Sequence, residues 1–181
     1  MPAWLLPEQP CDAIVNCHGL NYLMSIENFS MPRAMKLFQV NIAAPLAIIS
    51  GALRVGWPEV RVLNIASQTY RVPQRNTAAY CASKAALVQA TRVAARELAP
   101  RGWVVNALAP GKIADTHMSE LTDAQVRDLR GWSQEEADKY ALSLIPAGRF
   151  TTRVEVADAV FKILALPRYI NGAVIDMTGG V

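Results

Sequence analysis

Four short, mainly apolar blocks mark the chain: Ala13-Ile14-Val15-Asn16, Val60 to Ala66, Trp103 to Leu108 and Ala173 to Met177. Each is predominantly apolar over a strand's length, which predicts a buried strand. Between them the apolar spacing is helical. Ser30 followed by Pro32 is a helix start, with Ser as cap and Pro in the first turn. That helix is expected to run to about Val55, with a weak point at Pro45. A second helix is expected from near Thr77 to about Ala99, ended by Pro100-Arg101-Gly102. A charged stretch from about 114 to 150 holds helical segments near Asp123–Arg130 and Gln134–Leu144. The last helix reads Val154 to Leu166, with Thr152 as its cap. Strands alternating with helices predict an α/β chain. No internal repeat, low-complexity segment or domain boundary interrupts it, so residues 1–181 read as one domain.

Composition narrows the function classes. Of 181 residues 52% are apolar, enough for one domain with a real core. The net charge is +3, and the basic residues are scattered without aromatic interleaving, which argues against nucleic acid. No apolar run has the length needed to span a membrane. Met1 to Pro10 lacks the basic start and long apolar core of a signal peptide. Three cysteines, Cys11, Cys17 and Cys81, are odd in number and lack metal-ligand spacing. They read as free thiols in a reducing cytosol, with no metal site. A cytoplasmic location follows as an expectation.

The candidate chemistry lies just past the second apolar block. Ser67 sits at that strand's C-terminal end, where open α/β sheets build their sites. Tyr80 and Lys84 are four apart and share one helix face. A free phenol titrates at about 10 and is a poor base near neutrality. A neighbouring ammonium lowers that value, so Lys84 is expected to tune Tyr80 as an acid/base. Ser67 is placed to hold the same substrate oxygen. A Tyr and Lys four apart are common on helices. The Ser thirteen residues upstream at a strand end is what favours a site. Lys112, His117, Arg71 and Arg75 read as solvated surface charge rather than as contacts to an anionic substrate.

On these residues the sequence resembles the short-chain dehydrogenase/reductase family. Ser67, Tyr80 and Lys84 are joined by Asn41 in the preceding helix, Asn16-Cys17-His18-Gly19, Pro110-Gly111 and Gly172 to Gly180, in matching order. The resemblance covers about Asp12 to Val181. It implies a parallel, Rossmann-like sheet with helices on both faces and an Asn41–Ser67–Tyr80–Lys84 tetrad. In the family the Asn holds a water that links the Lys to solvent. Asn16 and Gly19 would lie beside the cofactor. Pro110 and Gly111 would lie against the nicotinamide face, and Ile113 would meet its carboxamide through the backbone. Thr116 follows one residue later than the family spacing. Cys17 and His18 depart from the usual pattern. His18, bulkier than the small residue expected, is read as pointing to solvent rather than obstructing an adenosine ribose. Residues 114–150 would form the substrate lid.

The family's Thr-Gly-x-x-x-Gly-x-Gly loop, which cradles a pyrophosphate at a helix N-terminus, has no counterpart among the ten glycines. The expectation is a truncated sheet of about four strands, family strands four to seven, with on the order of 60–80 residues missing. The strand ending at Asn16 would become an exposed edge. Met1 to Pro10, with Trp4, Leu5 and Leu6, or a partner chain, is expected to cover it. The family's cofactor is NAD or NADP, but no dinucleotide is expected to bind the isolated chain appreciably. Three functions stand side by side: a family homologue without autonomous dehydrogenase activity, an oxidoreductase whose dinucleotide half comes from another chain, and an interaction protein. The family's oligomer helices, those of Asn41 and Tyr80, are present, so a homo-oligomer (dimer or tetramer) is expected.

Overall fold

The computed structural model describes residues 9–181. The expected cover by Met1 to Pro10 falls largely outside that range. Four strands form one sheet: β1 (Ala13–Asn16), β2 (Arg61–Ile65), β3 (Val104–Pro110) and β4 (Val174–Met177). Their spatial order follows the chain order, and every neighbouring pair is parallel. The register pairs Asn16 with Asn64, Asn64 with Ala107, and Ala107 with Val174.

Every residue of β3 is buried, as a central parallel strand requires. Side chains alternate across it. Val62 and Val105 face a cluster with Ile49, Ala52, Ala94, Ala95 and Leu98. Leu63 and Leu108 face the other way, against Ile163 and Val160. The helices α2 (Ala44–Arg54) and α3 (Ala78–Leu98) therefore cover one face, and α6 (Arg153–Leu164) covers the opposite one. This is the parallel α/β arrangement the sequence predicts. The outer edge of β1 has no strand beside it among the described residues.

The first long helix departs from expectation in an instructive way. It is α1 (Met31–Phe38), a π-helical turn (Gln39–Ala43) and then α2. Pro45 has no N–H to offer the carbonyl four residues back, at Asn41, and its ring crowds that carbonyl. The helix widens by one residue, so the Ala44 N–H reaches back to the Gln39 carbonyl. The weak point thus falls ahead of the proline rather than at it. Ser30 occupies the cap position of α1 but makes no side-chain cap bond. Thr152 does cap α6, in a reciprocal pair with Glu155.

The expectation about apolar length also needs correction. Met31–Arg54 is long and apolar enough to cross a membrane by length and composition. Its residues Leu37, Ile49 and Ala52 pack in the clusters against α3, and Asn41 is buried mid-way. It serves here as a core helix.

Between β3 and α6 the chain forms α4 (His117–Arg130) and α5 (Gln134–Ser143). Thr116 caps α4, accepting from the Ser119 N–H, so this helix begins six residues before the sequence signal. Both stalks of the insertion are stitched together: Ala114 N–H donates to the Thr151 carbonyl and Thr151 N–H to that of Lys112. The Lys112 ammonium meets Asp123 of α4 at 2.7 Å and sits 4.3 Å from the Phe150 ring centre.

Candidate active site

The strand β2 ends at Ile65, and the chain turns sharply at Ser67, whose hydroxyl accepts from the Thr69 N–H. Thr77 precedes α3, which brings Tyr80 and Lys84 back along the sheet's C-terminal end on one helix face. Ser67, Tyr80 and Lys84 are all buried. The Lys84 ammonium donates to the Ile65 carbonyl at 2.8 Å and lies 5.9 Å from the Tyr80 ring centre. The three residues singled out by spacing are therefore brought together.

Their electrostatics differ from expectation. Burial pushes the Tyr80 phenol above its ordinary value, and the nearby Ser67 hydroxyl opposes that rise. Lys84 does not lower it. The ammonium is aimed at Ile65, and burial brings Lys84 itself down to about 8. The site thus holds a protonated phenol close to a lysine that titrates near neutrality.

Asn41 lies in the π-helical turn, and its side-chain amide makes three hydrogen bonds. The carbonyl accepts from Leu20 N–H at 2.8 Å, and the amino group donates to the Leu20 carbonyl at 3.0 Å and to Ser83 at 2.9 Å. Ser83 in turn donates to the Tyr80 carbonyl. Asn41 thus clamps the loop after β1 onto α3 at the residue beside Lys84. Ser83, missed by the sequence reading, is the link. Its signal was only a polar residue on the same helix as the pair.

Asn16 supports the site from β1: its amide donates to Asn64, and Asn64 donates to Thr91 of α3. Gly19 closes against the site. A Cβ there would stand 3.5 Å from the Lys84 ammonium, 3.6 Å from the Asn41 carbonyl oxygen and 3.7 Å from the Met118 methyl. Met118 of α4 therefore reaches the catalytic end, a contact no sequence pattern signalled. His18 is exposed, as expected. It is not remote from the site, however. Burial of its ring and the Lys84 charge lower its pKa, while a hydrogen bond to the Val40 carbonyl opposes them.

Pro110 ends β3, and the Gly111 N–H donates to the Met177 carbonyl. A Cβ on Gly111 would stand 3.0 Å from the Gln68 amide oxygen, an atom without a hydrogen-bond partner among the described residues. The Ile113 carbonyl accepts from Ser119 at 2.7 Å. Its N–H makes no hydrogen bond among the described residues. Thr116, displaced by one residue, is occupied as the α4 cap.

The comparisons with known proteins show the family and the fold. The family model described as enoyl-(acyl carrier protein) reductase matches residues 8–181. Galactitol 2-dehydrogenase of Agrobacterium fabrum is 30% identical over 173 residues, covering 93% of this chain and 67% of the relative. The chain belongs to the short-chain dehydrogenase/reductase family. In fold it is similar to a short chain dehydrogenase family protein from Francisella tularensis. That match has a TM-score of 0.90 at 23% identity, over 98% of this chain and 73% of the other. It is also similar to a putative NAD(P)-dependent gluconate 5-dehydrogenase from Beutenbergia cavernae, solved with NADP. There the TM-score is 0.78 at 32% identity, over 95% and 66% of the two chains. This short-chain dehydrogenase/reductase chain thus spans about two thirds of the length of these proteins.

The family implies a nicotinamide dinucleotide, and the residues present fit one end of it. The free Ile113 N–H suits a carboxamide carbonyl, and the missing side chain at Gly19 leaves room beside Lys84. For the diphosphate, none of the ten glycines has the spacing of a phosphate-cradling loop.

Proposed function

We propose that this chain carries the acid/base centre of an alcohol/carbonyl oxidoreductase, and that it does not bind a dinucleotide appreciably by itself. The observation behind this reading is the meeting of Ser67, Tyr80 and Lys84 at the C-terminal end of β2. Tyr80 transfers the proton to or from the substrate oxygen. Ser67 holds that oxygen by a hydrogen bond. Lys84 sits behind the phenol and, with its pKa near 8, can exchange a proton with it around neutrality. Asn41 is a positioning residue that fixes the Leu20 loop against α3. The rise in the Tyr80 pKa keeps the phenol protonated, the form in which it enters carbonyl reduction, though as a weaker acid. A nicotinamide cofactor, when bound, supplies or accepts the hydride. Asn16, Gly19, Pro110, Gly111 and the Ile113 backbone would hold its nicotinamide end.

Most of a dinucleotide's polar recognition is of its phosphates and adenosine, for which these residues offer no cradle. Calorimetric titration with NAD+, NADH, NADP+ and NADPH is therefore expected to give no binding heat below millimolar ligand. Micromolar binding would overturn this part of the reading. A second reading is that a partner chain supplies the dinucleotide half. The open outer edge of β1 favours it, since an added strand could pair there.

A further inference from the structure

One side of α4 has a chemistry that proton transfer at Tyr80 does not explain. Met118, Leu121, Gln125 and Leu129 recur along this helix at steps of three and four, so they share one face. Two contacts show where that face looks. A Cβ on Gly19 would stand 3.7 Å from the Met118 methyl and 3.5 Å from the Lys84 ammonium, so the face begins at the candidate site. Further along, the Gln125 amide oxygen accepts from the Leu23 N–H at 3.4 Å, in the loop that follows Gly19. The face therefore runs outward from Lys84 along the loop after β1.

Its leucines are nonetheless left in water. Leu121 is 53% exposed and Leu129 62% exposed, and Ile26, further along the same loop, is 76% exposed. The other sides of α4 are occupied: Asp123 meets Lys112, and Arg127 meets Gln134 of α5. A single exposed leucine needs no cause. Two on one face, in line with a methionine that reaches the site, make a track. From Met118 to Leu129 it is about 16 Å long, the length of an extended chain of about twelve carbons.

We infer that this track holds the apolar tail of the substrate, so that the oxygen handled by Ser67 and Tyr80 belongs to a secondary alcohol or ketone on a chain of about ten carbons or more. The inference rests on the acid/base reading above and names its substrate class. Continuity with the site selects this occupant, because a protein or lipid surface covering the leucines gains nothing from a track that starts beside Lys84. Charge agrees, since Lys112 is already paired with Asp123 and is not free to hold an anionic tail. A sugar alcohol would leave the leucines wet. An apolar chain buries them and expels water from the mouth of the site, where the buried Tyr80 and Lys84 then interact in a drier medium.

The test needs no turnover. Hexan-2-ol, octan-2-ol and decan-2-ol, each below its solubility limit, are titrated into the full chain while the Tyr80 ring and leucine methyl signals are followed by NMR. The Kd is expected to fall about threefold for each added methylene. Decan-2-ol should move the Leu129 methyls and hexan-2-ol should not. Leu129→Ser, a change at an exposed position, should weaken decan-2-ol roughly fivefold and leave hexan-2-ol unchanged. Leu144→Ser, at an exposed leucine off the track, should change neither. A Kd indifferent to chain length, an absence of binding included, would overturn the inference. So would a decan-2-ol affinity unchanged in Leu129→Ser, or a Leu129→Ser chain that loses self-association on sedimentation or loses binding to phosphatidylcholine vesicles, since the track would then serve a second copy or a membrane. Tyr80 signals that no alcohol moves would overturn the acid/base reading and the inference with it. Tyr80 signals that move without dependence on chain length would overturn the inference alone.

Discussion

At the scale of single residues, Lys84 carries an electrostatic cost from its burial. Its pKa falls from 10.5 to about 8 through burial. Between those values the unfolded chain holds more protons than the folded one, so stability rises with pH across the window. Below about pH 8 the full cost is present, roughly 3 kcal/mol. Lys84→Met removes it but leaves the Ile65 carbonyl without its donor, a loss of about 1 kcal/mol. The variant is therefore expected to be more stable than the parent by about 2 kcal/mol at pH 7, with the gap closing towards pH 10.5. Urea denaturation at pH 7 and pH 10 checks this, and a gap independent of pH would contradict it. The clustering of Ser67, Tyr80 and Lys84 was legible because a strand-end Ser and a Tyr-x-x-x-Lys helix face are features of local spacing. The direction of the Tyr80 shift was not. It depends on how deeply the phenol is buried and on Lys84 turning to Ile65, and neither is encoded near Tyr80.

At the scale of elements, the strands were readable because each is a short apolar block. The long helices were readable from their apolar spacing and their Pro or Gly ends. The π-helical turn was not, although its cause is in plain sight. Pro45 announces a disturbance, but only the clamp between Asn41 and Leu20 shows where the extra residue settles. The early start of α4 was hidden for a similar reason, since Thr116 becomes a cap only by meeting Ser119. The α4–α5 insertion is held by few ties, among them the half-buried Lys112–Asp123 pair over Phe150. An ion pair of this exposure contributes on the order of 1 kcal/mol. Lys112→Ala is expected to speed limited tryptic cleavage after Arg127 or Arg130 about fivefold, through easier local opening. Unchanged cleavage would mean that Met118 and the stalk pairing hold the insertion without this pair.

For the whole molecule, helix α2 and its partner α3 expose apolar residues on their outer sides, including Leu46 at 40% and Val93 at 47%. Self-association through these helices is the arrangement we propose, and the protein is expected to sediment as a dimer or tetramer at micromolar concentration. A monomer there would rule it out. The strand order has another consequence. Because β1, β2, β3 and β4 lie side by side in the order in which they are synthesised, each strand leaving the ribosome finds its neighbour already made. The sheet can be laid down vectorially. The candidate site cannot. Arg71, four residues past Ser67, is tied to Asp176 and to the Val181 carbonyl, and the Gly111 N–H awaits Met177. The loop and turn that flank Ser67, Tyr80 and Lys84 are therefore fixed only when β4 and the residues after it arrive, so a nascent chain can have most of its core before it has a finished candidate site.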